Sequence, residues 1–374
     1  MSRVLMSIIK NTQLAFLKLL AAGLWEKTVQ LSAYEGIDFK EIYRLAEEQS
    51  VIGLAAAGIE HIEDIQPPKE EVLTFVGTAL QIEQRNAAMN EFASWLILLL
   101  RNANIFTILI KGQGVAQCYT RPLWRSAGDI DLLFNSEDYD KAKYVLYSIS
   151  DGIGSENIYT KHQPLIIKGF EVELHGMMPF TLSRKAEKVL EDVTKGSLGR
   201  GDVRTCIINE KDIFLPKVDN DIIIIFTHFL QHFFIEGVGL RQICDWCRLL
   251  WTYRASINKS LLKERLRAMR LLTEWRVFAS LAVDYLSMPD YAMPFYKKSS
   301  IYRVKGKKTL DRILNCGNFG HNNDHGYRSK YSKQTAKYIT FFRRFFDFGS
   351  LMLIFPLDAP RFFVTYATRK AKRK

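Results

Sequence analysis

Apolar residues recur every three to four positions through the first hundred residues, a spacing that predicts helices. In residues 1–27 the apolar stripe includes Leu17, Leu20 and Leu24, and Lys18 interrupts the run that a signal peptide would need. We therefore predict that this segment is an amphipathic helix packed on the body of the protein.

Two further helices follow in the pattern. Asp38 precedes the apolar periodicity of residues 39–62 and is a favoured N-cap residue. Pro67 and Pro68 then end the pattern, because proline does not continue a helix. Residues 69–102 have helical periodicity again, so we predict an N-terminal helical domain over residues 1–102.

From residue 105 the pattern changes to short apolar runs separated by turns. The runs predict strand, helix, strand, helix, strand and strand at residues 105–110, 113–119, 129–134, 137–149, 157–168 and 169–176. Ser136 is the predicted cap of the second of these helices, and Gly169 is the predicted turn between the last two strands. This order predicts a small mixed sheet.

Helical periodicity returns in the rest of the chain. Two short strands are predicted at residues 203–209 and 212–216, and Asp219 is the predicted cap of the long helix after them. Later helices are predicted at residues 238–254, 259–287 and 333–355, with a polar loop at 299–330. The predicted class is α+β, with a mixed-sheet core at 103–217 between helical domains at 1–102 and 218–374.

The amino-acid composition limits where in the cell the protein is expected to be. The chain is 48% hydrophobic and 25% charged, as in ordinary soluble proteins. Its five cysteines have scattered spacing, which indicates a reducing cytoplasm and no disulfide framework. Cys244 and Cys247 lack a second pair to complete a zinc site, so we predict buried structural thiols. Without an apolar run of about 18 residues, no transmembrane helix is predicted.

The positive charge is confined to the C-terminal part. Residues 301–374 contain 17 Lys or Arg against 4 Asp or Glu, so the net charge of +12 leaves the body near neutral. A neutral body argues against a nucleic-acid substrate. Residues 340–374 mix Phe with Lys and Arg, and three interpretations stay open: a core-packed helix with a basic end, peripheral contact with an anionic membrane, or nucleic-acid contact.

Two acids stand at the start of an apolar run in the motif Asp129-Ile-Asp131. Residues i and i+2 of a strand project to the same face, so the two carboxylates would lie side by side. Like charges in a buried setting repel unless a cation neutralises them. Mg²⁺ prefers carboxylate and phosphate oxygens, so the pair indicates phosphoryl-transfer chemistry.

The order of these motifs resembles the DNA polymerase β-like nucleotidyltransferase superfamily. That superfamily has a Gly turn entering a helix, a strand with Asp-x-Asp, and a later strand with a third acid. The resemblance implies that Glu173 is the third acid, with Glu171 as the competing candidate on the same strand. It also implies that Asp129, Asp131 and Glu173 hold two metals and act in catalysis.

A closer resemblance is to a bacterial group of largely uncharacterised nucleotidyltransferases. The matching residues run in order from the Lys-Gly turn to the C-terminal helices: Lys111, Gly112, Tyr119, Pro122, Arg125, Asp129, Asp131, Glu173, His175, His228, His232, Arg241 and Asp245. The resemblance covers roughly residues 1–290, and its ordered motifs are more specific than any one of them.

That resemblance also implies a nucleotide site. Lys111, Gly112, Gln113, Gly114 and Arg125 are the expected contacts to nucleotide or substrate, with solvated charges and a plain turn as the alternatives. The turn departs from the superfamily's usual Gly-Ser or Gly-Gly, because Gln113 occupies its centre.

Other polar residues have simpler predicted roles. His228 and His232 are spaced i,i+4, but no HExxH motif or further ligand accompanies them, so a packed or substrate-facing pair is predicted. His175 shares the strand face of Glu173 and is a candidate active-site neighbour. Arg241 and Asp245, also i,i+4, are predicted to form an ion pair within one helix.

Two functions are compatible with these motifs. The first is a nucleotidyltransferase that uses Mg²⁺ or Mn²⁺ to move a nucleoside monophosphate from an NTP to a hydroxyl of a small molecule, sugar or protein. The second is a non-catalytic regulator or scaffold of the same fold at a membrane surface. Three converging acids favour the first, because a binding protein has no chemical need for them.

Overall fold

The computed structural model describes residues 3–199, 202–318 and 332–372, and it has the α+β architecture that the sequence predicts. The N-terminal part contains four helices: α1 (Arg3–Trp25), α2 (Phe39–Glu48), α3 (Ile52–Glu60) and α4 (Lys69–Asn102). Asp38 caps α2 as predicted, because its carboxylate accepts hydrogen bonds from the backbone N–H groups of Lys40 and Glu41.

A five-stranded mixed sheet follows the N-terminal helices. Its elements are β1 (Ile108–Ile110), α5 (Gly112–Ala116), β2 (Ile130–Leu133), α6 (Ser136–Tyr147), β3 (Gly152–Ile153), β4 (His162–Ile167) and β5 (Phe170–His175). The strand order is β1-β2-β5-β4-β3, with β2 and β5 parallel and every other pair antiparallel. The predicted turn at Gly169 joins β4 to β5, and Lys168 and Gly169 both have positive φ, as tight hairpin turns require.

One face of this sheet packs against α4 and α6. The apolar side chains of the three elements form a continuous cluster: Met89, Phe92, Leu96, Leu100, Leu109, Ile130, Leu132, Phe134, Leu146, Leu165, Val172 and Leu174. The strand residues in this cluster alternate with those on the opposite face, where the polar side chains lie. The long helix α4 therefore packs on the apolar face of the sheet, opposite the polar face.

A second, two-stranded sheet is formed after α7 (Arg184–Ser197). It consists of β6 (Val203–Ile208) and β7 (Lys211–Pro216), the two short strands that the sequence predicts. Ser94 of α4 donates a hydrogen bond to the carbonyl of Ile208 at 3.0 Å, so this hairpin is attached to the same long helix.

The remaining elements are helices: α8 (Val218–Ile235), α9 (Leu240–Thr252), α10 (Lys259–Met269), α11 (Leu272–Tyr285), α12 (Ser300–Cys316), α13 (Lys333–Leu351) and α14 (Asp358–Lys372). They share one hydrophobic cluster with α1, α2 and α3. Trp25 of α1 donates its indole N–H to the carbonyl of Leu286, and Arg248 of α9 donates to the carbonyl of Leu24. The three-domain division stays a prediction, although the two helical parts pack on each other.

Several predicted boundaries were wrong. The first strand begins at Ile108, and β2 begins at Ile130, so Asp129 precedes its strand. Asn135, not Ser136, caps α6, because its side chain accepts from the N–H groups of Glu137 and Asp138. Lys217, not Asp219, occupies the cap position of α8.

Two predicted features of the C-terminal part were also wrong. The helix predicted at 259–287 is two helices, because Arg270 adopts a left-handed conformation with φ of 59° and ends α10. The loop predicted at 299–330 contains α12 instead, since apolar residues such as Leu310 and Ile313 are buried at helical spacing. Residues 319–330 of that prediction lie outside the described residues.

The C-terminal helices have one packed face and one exposed face. Phe348, Phe355 and Phe362 are buried, in agreement with a core-packed helix, whereas Phe345 and Phe346 are exposed. Among the described residues, no helix combines the length and the apolar character needed to cross a membrane. Cys244 and Cys247 are buried free thiols, as predicted.

Candidate active site

The sheet register brings two of the predicted acids together. Asp131 of β2 and Glu173 of β5 are direct register partners in the parallel pair, so their side chains project side by side from the polar face. Asp129 stands just before β2 at the same edge. Glu171 lies beyond the point where β2 begins, is exposed, and is therefore the less suitable candidate.

These acids line a cavity of about 490 Å³ between the sheet and helices α8 and α9. That volume lies within the usual range for small-ligand sites. The polar lining includes all three acids together with several cationic or titratable groups: Lys111, Arg125, His162, His175, His228, His232 and Arg241. The cavity thus holds the charged groups that phosphoryl transfer needs.

The three acids fit a divalent cation. One carboxylate oxygen from each of Asp129, Asp131 and Glu173 lies within 4.8 Å of the others. The negative charge of Asp131, followed by burial, raises the pKa of Asp129, because two like charges lie close together. An all-carboxylate donor set of this kind suits Mg²⁺ or Mn²⁺.

Lys111 is the nearest cation to these acids. Its ammonium group lies 2.7 Å from Oδ1 of Asp131 and 3.3 Å from Nε2 of His228. Burial by itself would lower the pKa of Lys111, but the negative charges of Asp131, Asp129 and Glu173 outweigh it and raise that pKa. The protein's own ammonium group therefore provides part of the positive charge that the acids require.

The Lys-Gly turn has a constrained backbone. Lys111 has φ of 56° and ψ of −140°, a combination that residues with a Cβ rarely adopt, and Gly112 has φ of +31°. Gly112 lines the cavity, so its lack of a side chain leaves backbone accessible to a ligand.

Gln113 and Gly114 are placed differently from the rest of the turn. Both are buried in α5, and neither is among the residues that line the cavity. A Cβ at Gly114 would come within 2.7 Å of a Leu215 methyl, so α5 packs closely against β7 at this glycine. Their nucleotide contact stays a prediction, and the structure attributes a packing role to Gly114.

Arg125 is engaged in a buried ion pair. Its Nε and Nη2 donate to the two carboxylate oxygens of Asp245 at 2.8 and 2.7 Å. Burial would lower the pKa of Arg125, but the charge of Asp245 outweighs it and raises that pKa. The predicted ion pair between Arg241 and Asp245 was therefore wrong: Asp245 pairs with Arg125 and accepts a hydrogen bond from Tyr119.

Arg241 instead faces the cavity. Its Nη1 donates to the carbonyl of Ser126 at 2.9 Å, while its buried Nε has no hydrogen-bond partner among the described residues. Burial, and then the positive charge of Arg125, lowers the pKa of Arg241. A half-buried guanidinium group in the cavity lining is suited to an anionic ligand.

Two histidines complete the polar face of the sheet. His175, predicted as a neighbour of the site, places its Nε2 2.7 Å from Oδ1 of Asp131. His162 was not predicted, and its Nε2 lies 3.1 Å from Oε2 of Glu173. Only the antiparallel register of β4 and β5, which sets His162 opposite His175, brings it there, so no local motif could have indicated it.

These histidines change the electrostatics of Glu173. Burial by itself would raise the pKa of Glu173, but hydrogen bonds from His162 and His175 outweigh burial and lower that pKa. A carboxylate that stays ionised is a better metal ligand than proton acceptor, because a general base needs a pKa near the working pH. The arrangement therefore favours the ligand role of Glu173.

His228 and His232 lie on α8 at the opposite wall. Burial, and then the charge of Lys111, lowers the pKa of His228 well below its usual value, so its neutral ring accepts the Lys111 hydrogen bond. Among the described residues, neither histidine belongs to a group of three or more potential metal ligands. The predicted substrate-facing pair is consistent with their place in the cavity lining.

Two carboxylates separated by one residue, together with a third from the adjacent parallel strand, suit metal-assisted transfer of a nucleotidyl group. The model of the uncharacterised nucleotidyltransferase family matches residues 35–287, and the chain belongs to that family. The match includes helices on both sides of the sheet. No curated protein and no solved structure matches the chain.

Proposed function

We propose that this nucleotidyltransferase moves a nucleoside monophosphate from an NTP to a hydroxyl group of a small molecule, a sugar or a protein, and that it depends on a divalent metal. The observation that carries the proposal is the convergence of Asp129, Asp131 and Glu173 in one cavity. In-line displacement at a phosphate needs this charge stabilisation of the attacking and leaving oxygens.

Each group in the cavity has a definite task in this proposal. Asp129, Asp131 and Glu173 would hold Mg²⁺ or Mn²⁺, which when bound supplies positive charge at the reacting phosphate. Gly112 presents backbone to the phosphates, and Lys111 neutralises their charge from the β1 side. Arg241 donates from the α9 side, where it lines the cavity. The predicted contact between Arg125 and nucleotide or substrate remains a proposal, because two of the three guanidinium nitrogens of Arg125 already donate to Asp245.

Neutral hydrogen-bonding groups form another part of the cavity lining. They come from the loop before β4, the loop before α7, and helices α8 and α9: Asn157, Thr160, Thr181, Thr227, Gln231 and Gln242. Amide and hydroxyl groups bind sugar hydroxyls and base edges without requiring charge. This part of the lining supports a hydroxyl-bearing acceptor, and the near-neutral charge of residues 1–300 argues against a nucleic-acid acceptor.

A labelling experiment tests the proposal. The full-length protein is incubated with each of four α-labelled NTPs, Mg²⁺ or Mn²⁺, and fractionated host lysate, and labelled products are measured. We expect Asp131→Asn and Glu173→Gln to reduce product at least roughly 100-fold, because loss of metal-based charge stabilisation costs several kcal/mol and each 1.36 kcal/mol is about tenfold in rate.

Glu171→Gln is the matched control, because it removes a carboxylate from the same strand outside the cavity. It should leave product formation unchanged. If the unchanged protein forms no labelled product and Mg·NTP does not shift its melting temperature, the transfer proposal is wrong, and the alternative of a non-catalytic binding protein is supported.

A further inference from the structure

The polar face of the sheet contains a second group of potential metal ligands. Nε2 of His162 and Nε2 of His175 lie 3.1 and 3.4 Å from the same oxygen, Oε2 of Glu173, and Nε2 of His175 also lies 2.7 Å from Oδ1 of Asp131. All three ligand atoms lie within 4.8 Å of one another. Glu173 is thus shared between this group and the three acids, while neither histidine belongs to the acid group.

The spacing of these atoms matches that of ligands around one ion. Zinc and similar ions bind imidazole nitrogen and carboxylate oxygen at about 2.0–2.2 Å. Ligands at that bond length are separated by roughly 3.0 Å in octahedral geometry and roughly 3.4 Å in tetrahedral geometry. The two contacts to Oε2 of Glu173, at 3.1 and 3.4 Å, fall near these separations.

The surroundings of the three residues also suit an ion. His162, Glu173 and His175 all line the cavity, so an ion can enter and keep open positions for water or a phosphate oxygen. The paired strands β4 and β5 hold the ligands, because His162 and His175 are direct register partners and Glu173 lies two residues before His175. Ligands on rigid strands are pre-positioned and need little rearrangement on binding.

The geometry points to a second metal site, formed by His162, Glu173 and His175, that takes a divalent transition-metal ion such as Mn²⁺, Co²⁺ or Zn²⁺. Imidazole is a good ligand for these ions, whereas Mg²⁺ prefers oxygen alone. This site differs from the group formed by Asp129, Asp131 and Glu173, because two of its three ligands are imidazole nitrogens. The carboxylate of Glu173 belongs to both groups. The second site does not depend on the proposed nucleotidyl transfer, since it requires only that the ion binds.

Metal binding without nucleotide tests this site. Mn²⁺ is added to the full-length protein, and electron spin-echo spectroscopy measures coupling to imidazole nitrogen, while calorimetry measures Zn²⁺ affinity. We expect nitrogen coupling in the unchanged protein and in Asp129→Asn. His162→Gln keeps a hydrogen-bonding side chain at a partly exposed position, and it should weaken Zn²⁺ binding at least roughly tenfold, since loss of even an outer partner of a metal ligand costs about 10–100-fold.

His61→Gln is the matched control, because His61 contacts a carboxylate of Glu26 at 2.7 Å outside the cavity. It should bind Zn²⁺ as the unchanged protein does. Absence of nitrogen coupling, or unchanged Zn²⁺ affinity in folded His162→Gln, would overturn the inference. Labelled-product formation with Mg²⁺ is measured in parallel, so loss of this site and loss of the proposed transfer are separate outcomes.

Discussion

At the scale of single residues, Lys111 combines a strained backbone with a charge placed beside the acids that could hold a metal. Its φ and ψ of 56° and −140° lie in a region that favours glycine, and its ammonium group contacts Asp131 at 2.7 Å. Such strain persists only where the surroundings hold it, and it is common at active sites. The ammonium group occupies the neighbourhood that a bound cation would share, so Lys111 and a metal compete for the same carboxylate.

Lys111→Met is expected to have two opposite effects. Mn²⁺ binding without nucleotide should become tighter, because a competing cation is removed from Asp131. Nucleotidyl transfer should fall roughly 10- to 100-fold, because a hydrogen bond to a charged phosphate contributes about 1.5–3 kcal/mol. Calorimetry and labelled-product assays measure the two effects.

Lys143→Met is the control for this substitution, since Lys143 pairs with Glu156 at 2.8 Å outside the cavity. It should change neither quantity. Weaker Mn²⁺ binding in Lys111→Met would contradict the competition between the two cations.

At the scale of elements, the segment that leads into β2 is held in place by α4, which precedes it in the chain, and by α9, which follows it. Asn86 of α4 donates to the carbonyls of Leu123 and Arg125 at 2.7 Å. From the other side, Asp245 of α9 accepts from Arg125, and Arg241 donates to Ser126. Asp129 follows directly, so its position depends on these long-range contacts.

Arg125→Met is expected to lower the free energy of unfolding by about 3–5 kcal/mol, because it leaves Asp245 buried without its cation. The double variant with Asp245→Asn should recover part of that loss. Urea denaturation measures both. Arg121→Met is the control, since Arg121 pairs with the exposed Glu60, and it should cost no more than about 1 kcal/mol. An equal cost for the two single variants would disprove the structural importance of the buried pair.

At the scale of the whole molecule, charge and exposed aromatic area coincide on the C-terminal helices. Residues 301–374 carry a net charge of +13, and Phe342, Phe345 and Phe346 are 58, 53 and 70% exposed. Basic residues beside exposed aromatic rings suit an anionic membrane surface. Peripheral membrane contact is therefore the interpretation of the tail that we carry forward as a proposal.

Sedimentation with anionic vesicles tests this contact. The double substitution Phe345→Ser and Phe346→Ser should reduce binding at least roughly tenfold, because a fully buried Phe side chain contributes about 1.5–3 kcal/mol. Binding should also weaken with added salt. Deletion of residues 340–374 is unsuitable, since it removes the buried Phe355 and Phe362. Tyr144→Ser, an exposed aromatic on α6, is the control, and equal binding of all three proteins would contradict the proposal.

Local sequence determined most of the elements. Helical periodicity predicted α1, α2 and α4, and the Asp38 cap was confirmed because an N-cap bonds only to its own first turn. The hairpin turn at Gly169 was predicted for the same reason, since turn chemistry depends on neighbouring residues. Errors remained in local features too: the caps predicted at Ser136 and Asp219 were wrong by one and two residues, and the sequence pattern predicted neither α12 nor the break at Arg270.

The mixed sheet between helices and the motif Asp129-Ile-Asp131 could be predicted from the amino-acid sequence, because both depend on spacing along the chain. Three features required the folded structure: Glu173 and not Glu171 stands beside Asp131, Asp245 pairs with Arg125, and His162 joins the cavity. The physical reason is that strand register and helix packing join residues far apart in sequence, and no local pattern specifies which distant partner a side chain meets.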